Sequence, residues 1–102
     1  MAHEYFQGLP KPEKARAEVL FQRMADLGSI HNIEHFRNEG DGIYCFKPGR
    51  HRFPCFFHGT DVVVTHGFKK QSPKMPPHEL ERARHARADH LERAAARERR
   101  KK

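Results

Sequence analysis

Basic side chains concentrate in two stretches of the sequence that could together bind phosphate. The first stretch contains Lys47, Arg50, His51 and Arg52, and the second contains Lys69, Lys70 and Lys74. Lys and Arg side chains hold phosphate oxygens and stabilise the negative charge that develops during attack at phosphorus. The two stretches therefore predict either an RNA-backbone surface or, less specifically, the ordinary solvated rim of a basic protein.

Histidine is the second residue type that could do chemistry here. His66 lies in the strand end "VTHGF", beside the second basic stretch, and His58 lies in a turn. Either could act as a general acid or base near neutral pH, although a histidine at a strand end is more often structural. His78, His85 and His90 look like exposed helix residues, and the last two lack the i, i+4 spacing of a helical metal pair.

No metal or other cofactor is predicted. Cys45 and Cys55 are the only cysteines, and they show no spacing typical of a zinc site. Both fall on segments that we expect to form adjacent strands, so a cross-strand disulfide is conceivable. Two buried thiols in a cytoplasmic protein is the default prediction. Tyr44, also in a predicted strand, could pack in the core or stack on a base.

Length and charge restrict the class of protein. A chain of 102 residues can hold one domain with one modest core, so we expect a single domain over residues 1–102, with a frayed basic tail over about 95–102. The formal net charge is +7 before its nine histidines are counted. The expected partners are therefore polyanions, namely nucleic acid or an acidic protein surface, and no apolar run is long enough to indicate a membrane span.

Three β-rich runs must position the basic stretches: residues 43–47, 52–57 and 61–68. The segments "KPGR" and "HGTD" separate them, which predicts two consecutive hairpins and a three-stranded meander. A two-residue first turn would place Lys47 opposite Arg52, and extending that register would place Arg52 opposite Gly67. Pro54 lacks a ladder donor, so we expect a bulge or a broken pairing there.

Helices are predicted on both sides of the meander. Residues 12–27 have the spacing of one helical face, followed by Gly28; that face comprises Ala15, Val19, Leu20, Met24 and Leu27. Residues 2–7 could be a short earlier helix, and 29–39 a short helix or an irregular connection. The last helix should begin at Pro76 or Pro77 and reach Arg93 or beyond. Its apolar stripe is thin: Leu80, Ala83, Leu91 and Ala94.

The ordered string "GIYCFKPGRHRFPCFFHGTDVVVTHGFKKQSPKMPPHELERARHARADHL", residues 42–91, resembles the HigB/RelE-type toxins of bacterial type II toxin–antitoxin systems, in particular their phage-derived branch within the RelE/ParE superfamily. The resemblance implies an α+β fold with N-terminal helices on a small antiparallel sheet and a C-terminal helix. It also implies a metal-independent endoribonuclease that cuts mRNA on the ribosome in the cytoplasm. A cognate antitoxin, of helix-turn-helix type, would silence it, and the stripe over residues 80–94 is one possible dock.

The resemblance also assigns roles to residues. Arg52 and Lys70 fall on the family's charge-stabilising positions, and His66 is a candidate for proton transfer. The expected RNA-binding residues are Lys47, Arg50, Lys69 and Lys74. The chain departs from the family pattern at Gln71, Met75 and Pro54, and we expect no β-strand before its first helix.

Two other functions stay open on the sequence. A ParE-like relative of the same fold would poison DNA gyrase without cutting RNA. A basic nucleic-acid-binding module left over from a prophage toxin would do neither.

Overall fold

The computed structural model describes residues 2–100 and places three helices around one sheet. In chain order the elements are α1 (Ala2–Gln7), α2 (Lys11–Leu27), β1 (Phe36–Gly40), β2 (Ile43–Phe46), β3 (His51–His58), β4 (Asp61–Val64), β5 (Phe68–Lys69) and α3 (Pro77–Arg100). The sheet is antiparallel in the order β1-β2-β3-β4, and β5 follows β4 along the same edge of β3. The predicted α+β class is confirmed, with helices before the sheet and one long helix after it.

The sheet has one strand more than the predicted meander. β1 pairs with β2 over Phe36–Gly40, so the prediction of a helix or an irregular connection is wrong for this part of residues 29–39. The helical spacing of Ile30, Ile33 and Phe36 misled the prediction. Ile30 and Phe36 are buried, but Ile33 is exposed, so these residues do not form one helical face.

The β2–β3 hairpin has the predicted register. Phe46 pairs with Phe53, and the His51 N–H donates to the Pro48 carbonyl at 3.1 Å across a two-residue turn. Continuing this ladder by one step places Lys47 opposite Arg52, as predicted. On the other edge of β3, however, Arg52 pairs with Phe68 and not with Gly67. That prediction is wrong by one residue because an extra residue is accommodated between β4 and β5.

Pro54 explains where the extra residue sits. The Pro54 carbonyl accepts a hydrogen bond from the Thr65 N–H at 2.8 Å, but proline has no N–H to return one. The ladder therefore breaks after Thr65 and resumes at Phe68. The predicted break at Pro54 is confirmed.

The two faces of the sheet carry separate clusters of buried side chains. On one face α1 and α2 cover the larger cluster: Ala17, Leu20, Met24, Ile30, Phe36, Phe46, Phe53 and Cys55. On the other face α3 contributes Ala83 against Ile43 and Phe56. The face of α2 differs from the predicted one, because Ala15, Val19 and Leu27 are exposed while Ala17 is buried. The predicted end of α2 is confirmed: the last helical residue is Leu27, and Gly28 caps the helix with a φ of 74°, which favours glycine.

Tyr44 and the cysteines have ordinary structural surroundings. Tyr44 stacks on Phe36 at a centroid distance of 5.5 Å and meets Phe57 edge-on, which is the core-packing interpretation. Cys45 and Cys55 are buried free thiols, as the default predicted. They are not direct neighbours across the ladder, because Cys45 pairs with Pro54 and Cys55 with Tyr44.

The last helix is continuous through Arg100, which lies within the segment predicted as a frayed tail; Lys101 and Lys102 are outside the described residues. Its contact with the sheet is thin, as predicted, because Ala83 is its one fully buried residue within the described part. Among the helices in residues 2–100, none combines the length and apolar character needed to cross a bilayer.

Gly67 allows α1 to pack closely on the sheet. A Cβ atom there would overlap the Tyr5 ring and lie 2.9 Å from Phe53 Cε1. We therefore expect Gly67→Ala to lower the free energy of unfolding by about 1–3 kcal/mol, measured by urea denaturation. Gly8→Ala is the matched control, since its Cβ would meet nothing closer than 3.5 Å. An equal, small effect of both substitutions would contradict this packing.

Candidate phosphate-binding site

One surface pocket brings together four of the basic residues predicted from the sequence. We call it the basic pocket. Its lining residues are Arg37, Glu39, Lys47, Arg52, Phe68, Lys70, Ser72, Pro73, Lys74, Met75 and Pro76. The predicted charge stabilisers Arg52 and Lys70 and the predicted RNA-binding residues Lys47 and Lys74 are all among them.

Strand alternation places the polar part of this pocket on the α3 face of the sheet. Successive residues of a strand point to opposite faces, so Arg52 shares the face of Phe56 and not that of Phe53. Its ladder neighbours Lys47 and Phe68 point to the same face of the sheet as Arg52. Because α3 packs on the part of this face that carries Ile43 and Phe56, the other end of the face stays available for a ligand.

Arg52 is held at one end of its guanidinium group. Its Nη1 donates to the carbonyls of Gly49 and His51, both at 2.8 Å. In the described part of the chain, Nε and Nη2 make no hydrogen bond, so they keep donors for a ligand. Burial lowers the pKa of Arg52 and Glu39 opposes that shift, but arginine remains charged at neutral pH. The side chain therefore offers a fixed positive charge.

Glu39 is the one carboxylate that lines the pocket. Its side chain is 14% exposed, and Arg37 Nε lies 3.7 Å from its Oε1.

Burial is the main cause that raises the pKa of the Cys45 thiol to about 12, and the charge of Glu39 adds to it. Cys45 is therefore a protonated thiol beneath the site and no nucleophile.

Sequence reasoning missed both Arg37 and Glu39, because it assigned no strand to residues 36–40. A signal was present in "FRNEGDG". An Asp-Gly pair at a turn, preceded by alternating residues, is typical of a β-hairpin. Here β1 and β2 are joined at that point, with Asp41 and Gly42 both at positive φ.

The lysines are positioned by the loop edge of the pocket. We call residues 70–76, between β5 and α3, the elbow. Lys70 begins it, with its N–H donating to the Arg50 carbonyl at 2.7 Å, and the Ser72 hydroxyl donates to the Lys74 carbonyl at 3.1 Å. Lys47 is tied differently, because its Nζ donates to the Ile33 carbonyl at 3.2 Å. The cations therefore come from separate parts of the chain.

Three basic-stretch residues lie outside the basic pocket. Arg50 is exposed in the β2–β3 turn, and Lys69 pairs with His51, whose side chain lies on the opposite face from Arg52. His51 is buried there, with Nδ1 2.7 Å from the Tyr5 hydroxyl and Nε2 3.3 Å from Glu13 Oε1. The RNA-binding role of Arg50 and Lys69 stays a prediction.

His66 also lies outside the basic pocket and is only 1% exposed. Its Nε2 is 3.1 Å from Glu79 Oε1, and its Nδ1 is 2.8 Å from the Thr65 hydroxyl. Burial, followed by the charge of Arg82, lowers its pKa, although Glu79 acts in the opposite direction. Both nitrogens of the imidazole are engaged, and its role in proton transfer stays a prediction without support from this geometry.

The other predicted histidines divide into two groups. His78 and His85 are exposed on α3, as expected. His90 is half-buried, so its predicted exposure is wrong: its Nε2 lies 3.1 Å from His58 Nδ1, and its ring packs on Phe56 because α3 crosses β3 there. Residues 2–100 hold no group of three or more His, Cys, Asp or Glu side chains arranged for a metal ion.

A family model for phage-derived Gp49-like proteins (DUF891) matches residues 4–88, which include every residue that lines the basic pocket. No curated protein matches the chain. Since the matched segment spans most of the sequence, from α1 to the middle of α3, the chain belongs to the Gp49-like family of phage-derived proteins.

Proposed function

We propose that this protein is an endoribonuclease that cleaves mRNA without a metal ion. One observation carries the proposal: five cationic side chains and a single carboxylate line one pocket. The cations are Arg37, Lys47, Arg52, Lys70 and Lys74, and the carboxylate is Glu39. Positive groups of this kind bind the RNA backbone, and a carboxylate among them can accept a proton.

The carboxylate, Arg52 and lysines of the pocket have different tasks in the proposed reaction. Glu39 takes the proton of a ribose 2′-OH, and the 2′ oxygen bonds to the adjacent phosphorus. Arg52 and Lys70 stabilise the negative charge that develops on the phosphate. The bond from phosphorus to the 5′ oxygen breaks, and that oxygen takes a proton from a lysine of the pocket. The products are a 2′,3′-cyclic phosphate and a 5′-OH, and DNA is excluded because it has no 2′-OH.

The biological setting of the proposal follows from the family. Gp49-like proteins are commonly linked to RelE/HigB-type toxins. We therefore propose a toxin of a type II toxin–antitoxin system, acting in the cytoplasm on mRNA bound to the ribosome. Its expected partner is a cognate antitoxin with a helix-turn-helix domain, encoded by an adjacent gene.

The direct test uses the purified protein with end-labelled RNA, as free RNA in buffer containing EDTA and as ribosome-bound mRNA in the Mg²⁺ buffer that keeps the ribosome assembled. We expect strand breaks that leave 2′,3′-cyclic phosphate ends, and no cleavage of a matched 2′-O-methyl RNA. Induced growth arrest with intact mRNA and inhibited gyrase supercoiling would favour the ParE-like alternative. A protein that is harmless and cuts no RNA would favour the prophage-derived binding module.

A further inference from the structure

The elbow carries Lys70 and Lys74 but has little structure of its own. Its described hydrogen bonds are few: the Lys70 N–H donates to the Arg50 carbonyl, the Ser72 hydroxyl donates to the Lys74 carbonyl, and the Pro76 carbonyl accepts from the N–H groups of Glu79 and Leu80. Its lysines are exposed, and β5, which leads into it, is only two residues long. The place of these two lysines therefore depends on how the two ends of the elbow are fixed.

A buried contact joins the segments on either side of the elbow. His66 precedes β5, Glu79 lies in the first turn of α3, and 3.1 Å separates Nε2 from Oε1. The Glu79 side chain is 12% exposed and His66 is almost fully buried, so water competes little for this contact. A carboxylate near a helix N-terminus is also favourable for the helix dipole.

The imidazole is fixed on its other side as well. Its Nδ1 lies 2.8 Å from the Thr65 hydroxyl oxygen, and that hydroxyl donates to the Pro54 carbonyl at 3.3 Å. Thr65 in turn donates its backbone N–H to Pro54 in β3. The ring also stacks on Phe68 with a centroid distance of 5.8 Å, and Phe68 lines the basic pocket opposite Arg52. The chain of contacts thus runs from β3 through His66 to α3 and to the floor of the pocket.

We propose that His66 and Glu79 form a clasp that closes the elbow and holds Lys70 and Lys74 beside Arg52, which makes His66 a positioning residue and not a proton-transfer group. The clasp itself is a property of the fold. Its effect on catalysis rests on the proposed function.

The first test measures hydrogen exchange at the backbone amides of Lys70 and Leu80, which donate to the Arg50 and Pro76 carbonyls at the two ends of the elbow. His66→Leu and Glu79→Ala remove the clasp from opposite sides, and each is expected to speed exchange at these amides about 10-fold or more. His66→Gln keeps an N–H donor for Glu79 and is expected to stay near the wild-type rate. His90→Leu is the matched control, because it removes a 3.1 Å contact between α3 and β3 away from the elbow.

The outcomes of this test are decisive without any RNA. Faster elbow exchange in His66→Leu and Glu79→Ala, but not in His90→Leu, would support the clasp. Unchanged exchange in the two clasp variants would overturn it, and so would an equal increase in His90→Leu, since the effect would then be a general loosening of α3. A protein that cuts no RNA would refute the proposed function and leave this measurement intact.

The second test separates positioning from proton transfer by kinetics on the RNA substrate. For His66→Leu we expect KM to rise about 10-fold and kcat to fall about 10-fold with the shape of the pH–rate profile unchanged, because the displaced lysines bind the backbone less well and Lys70 stabilises less of the developing charge. His66→Gln should restore KM. A kcat loss of about 100-fold or more that His66→Gln shares would overturn the positioning role and restore His66 as a proton-transfer group.

Discussion

Replacement of Arg52 by alanine is expected to reduce kcat for RNA cleavage by about 10²- to 10³-fold, the usual cost of removing one fixed donor that faces developing charge. Arg52 is the cation that the structure fixes best, because two carbonyl oxygens hold its Nη1 at 2.8 Å. Its unused donors suit a phosphate that gains charge during the reaction. The measurement is single-turnover cleavage of a short RNA, with Arg23→Ala on the exposed surface of α2 as the matched loss of one arginine.

Stability must be measured alongside, because the same bonds hold the β2–β3 turn. Loss of the bonds to Gly49 and His51 is expected to cost about 1–3 kcal/mol of the free energy of unfolding. Arg52→Lys keeps the positive charge but not the fork of donors, and it should recover only part of the rate. Cleavage by Arg52→Ala within about 3-fold of wild type, in a folded protein, would remove Arg52 from the mechanism.

The part of the site formed by β2 and β3 could be predicted from sequence because its geometry is local. A two-residue turn fixes the register of a hairpin, and with Gly49 and Arg50 as its turn residues Pro48 faces His51 and Lys47 faces Arg52. Lys70 and Lys74 then follow along the chain, and the prolines after them place the start of α3. The β2–β3 register and the start of α3 therefore depend on no contact between distant segments.

The remaining part depends on pairings between distant segments. Arg37 and Glu39 enter the pocket only because residues 36–40 pair with β2, and the segment before them carries a misleading helical spacing. The slip from Gly67 to Phe68 arises because Pro54 withholds one N–H from the ladder. The proline in the sequence indicates that the hydrogen-bond ladder must break, but the pairing with the neighbouring strand determines which residue lies at the break.

The burial of His66 is the clearest case of tertiary structure overriding a sequence interpretation. A histidine beside a basic stretch suggests acid–base chemistry. Its fate depends on the docking of α3, which brings Glu79 to its Nε2 from 13 residues away. Nothing in the spacing of the two residues predicts this contact, because the elbow between them has no regular period.

Replacement of Glu39 by glutamine is expected to separate RNA binding from cleavage. Loss of the proton acceptor should lower kcat by about 10²- to 10⁴-fold. The same change removes the negative charge that lines a pocket of five cations, so a non-cleavable 2′-O-methyl RNA should bind more tightly. Slower cleavage together with tighter binding is the signature of a catalytic carboxylate. Single-turnover kinetics and fluorescence anisotropy measure the two quantities.

Glu34→Gln provides the matched control for this test. It removes the same charge from an exposed position just before β1, outside the basic pocket, so that any general effect of net charge on RNA binding appears in both variants. Only the Glu39 variant should lose the chemical step. If Glu39→Gln binds RNA more tightly and still cleaves at the wild-type rate, Glu39 only moderates the charge of the pocket. The proton acceptor would then be one of the lysines of the pocket.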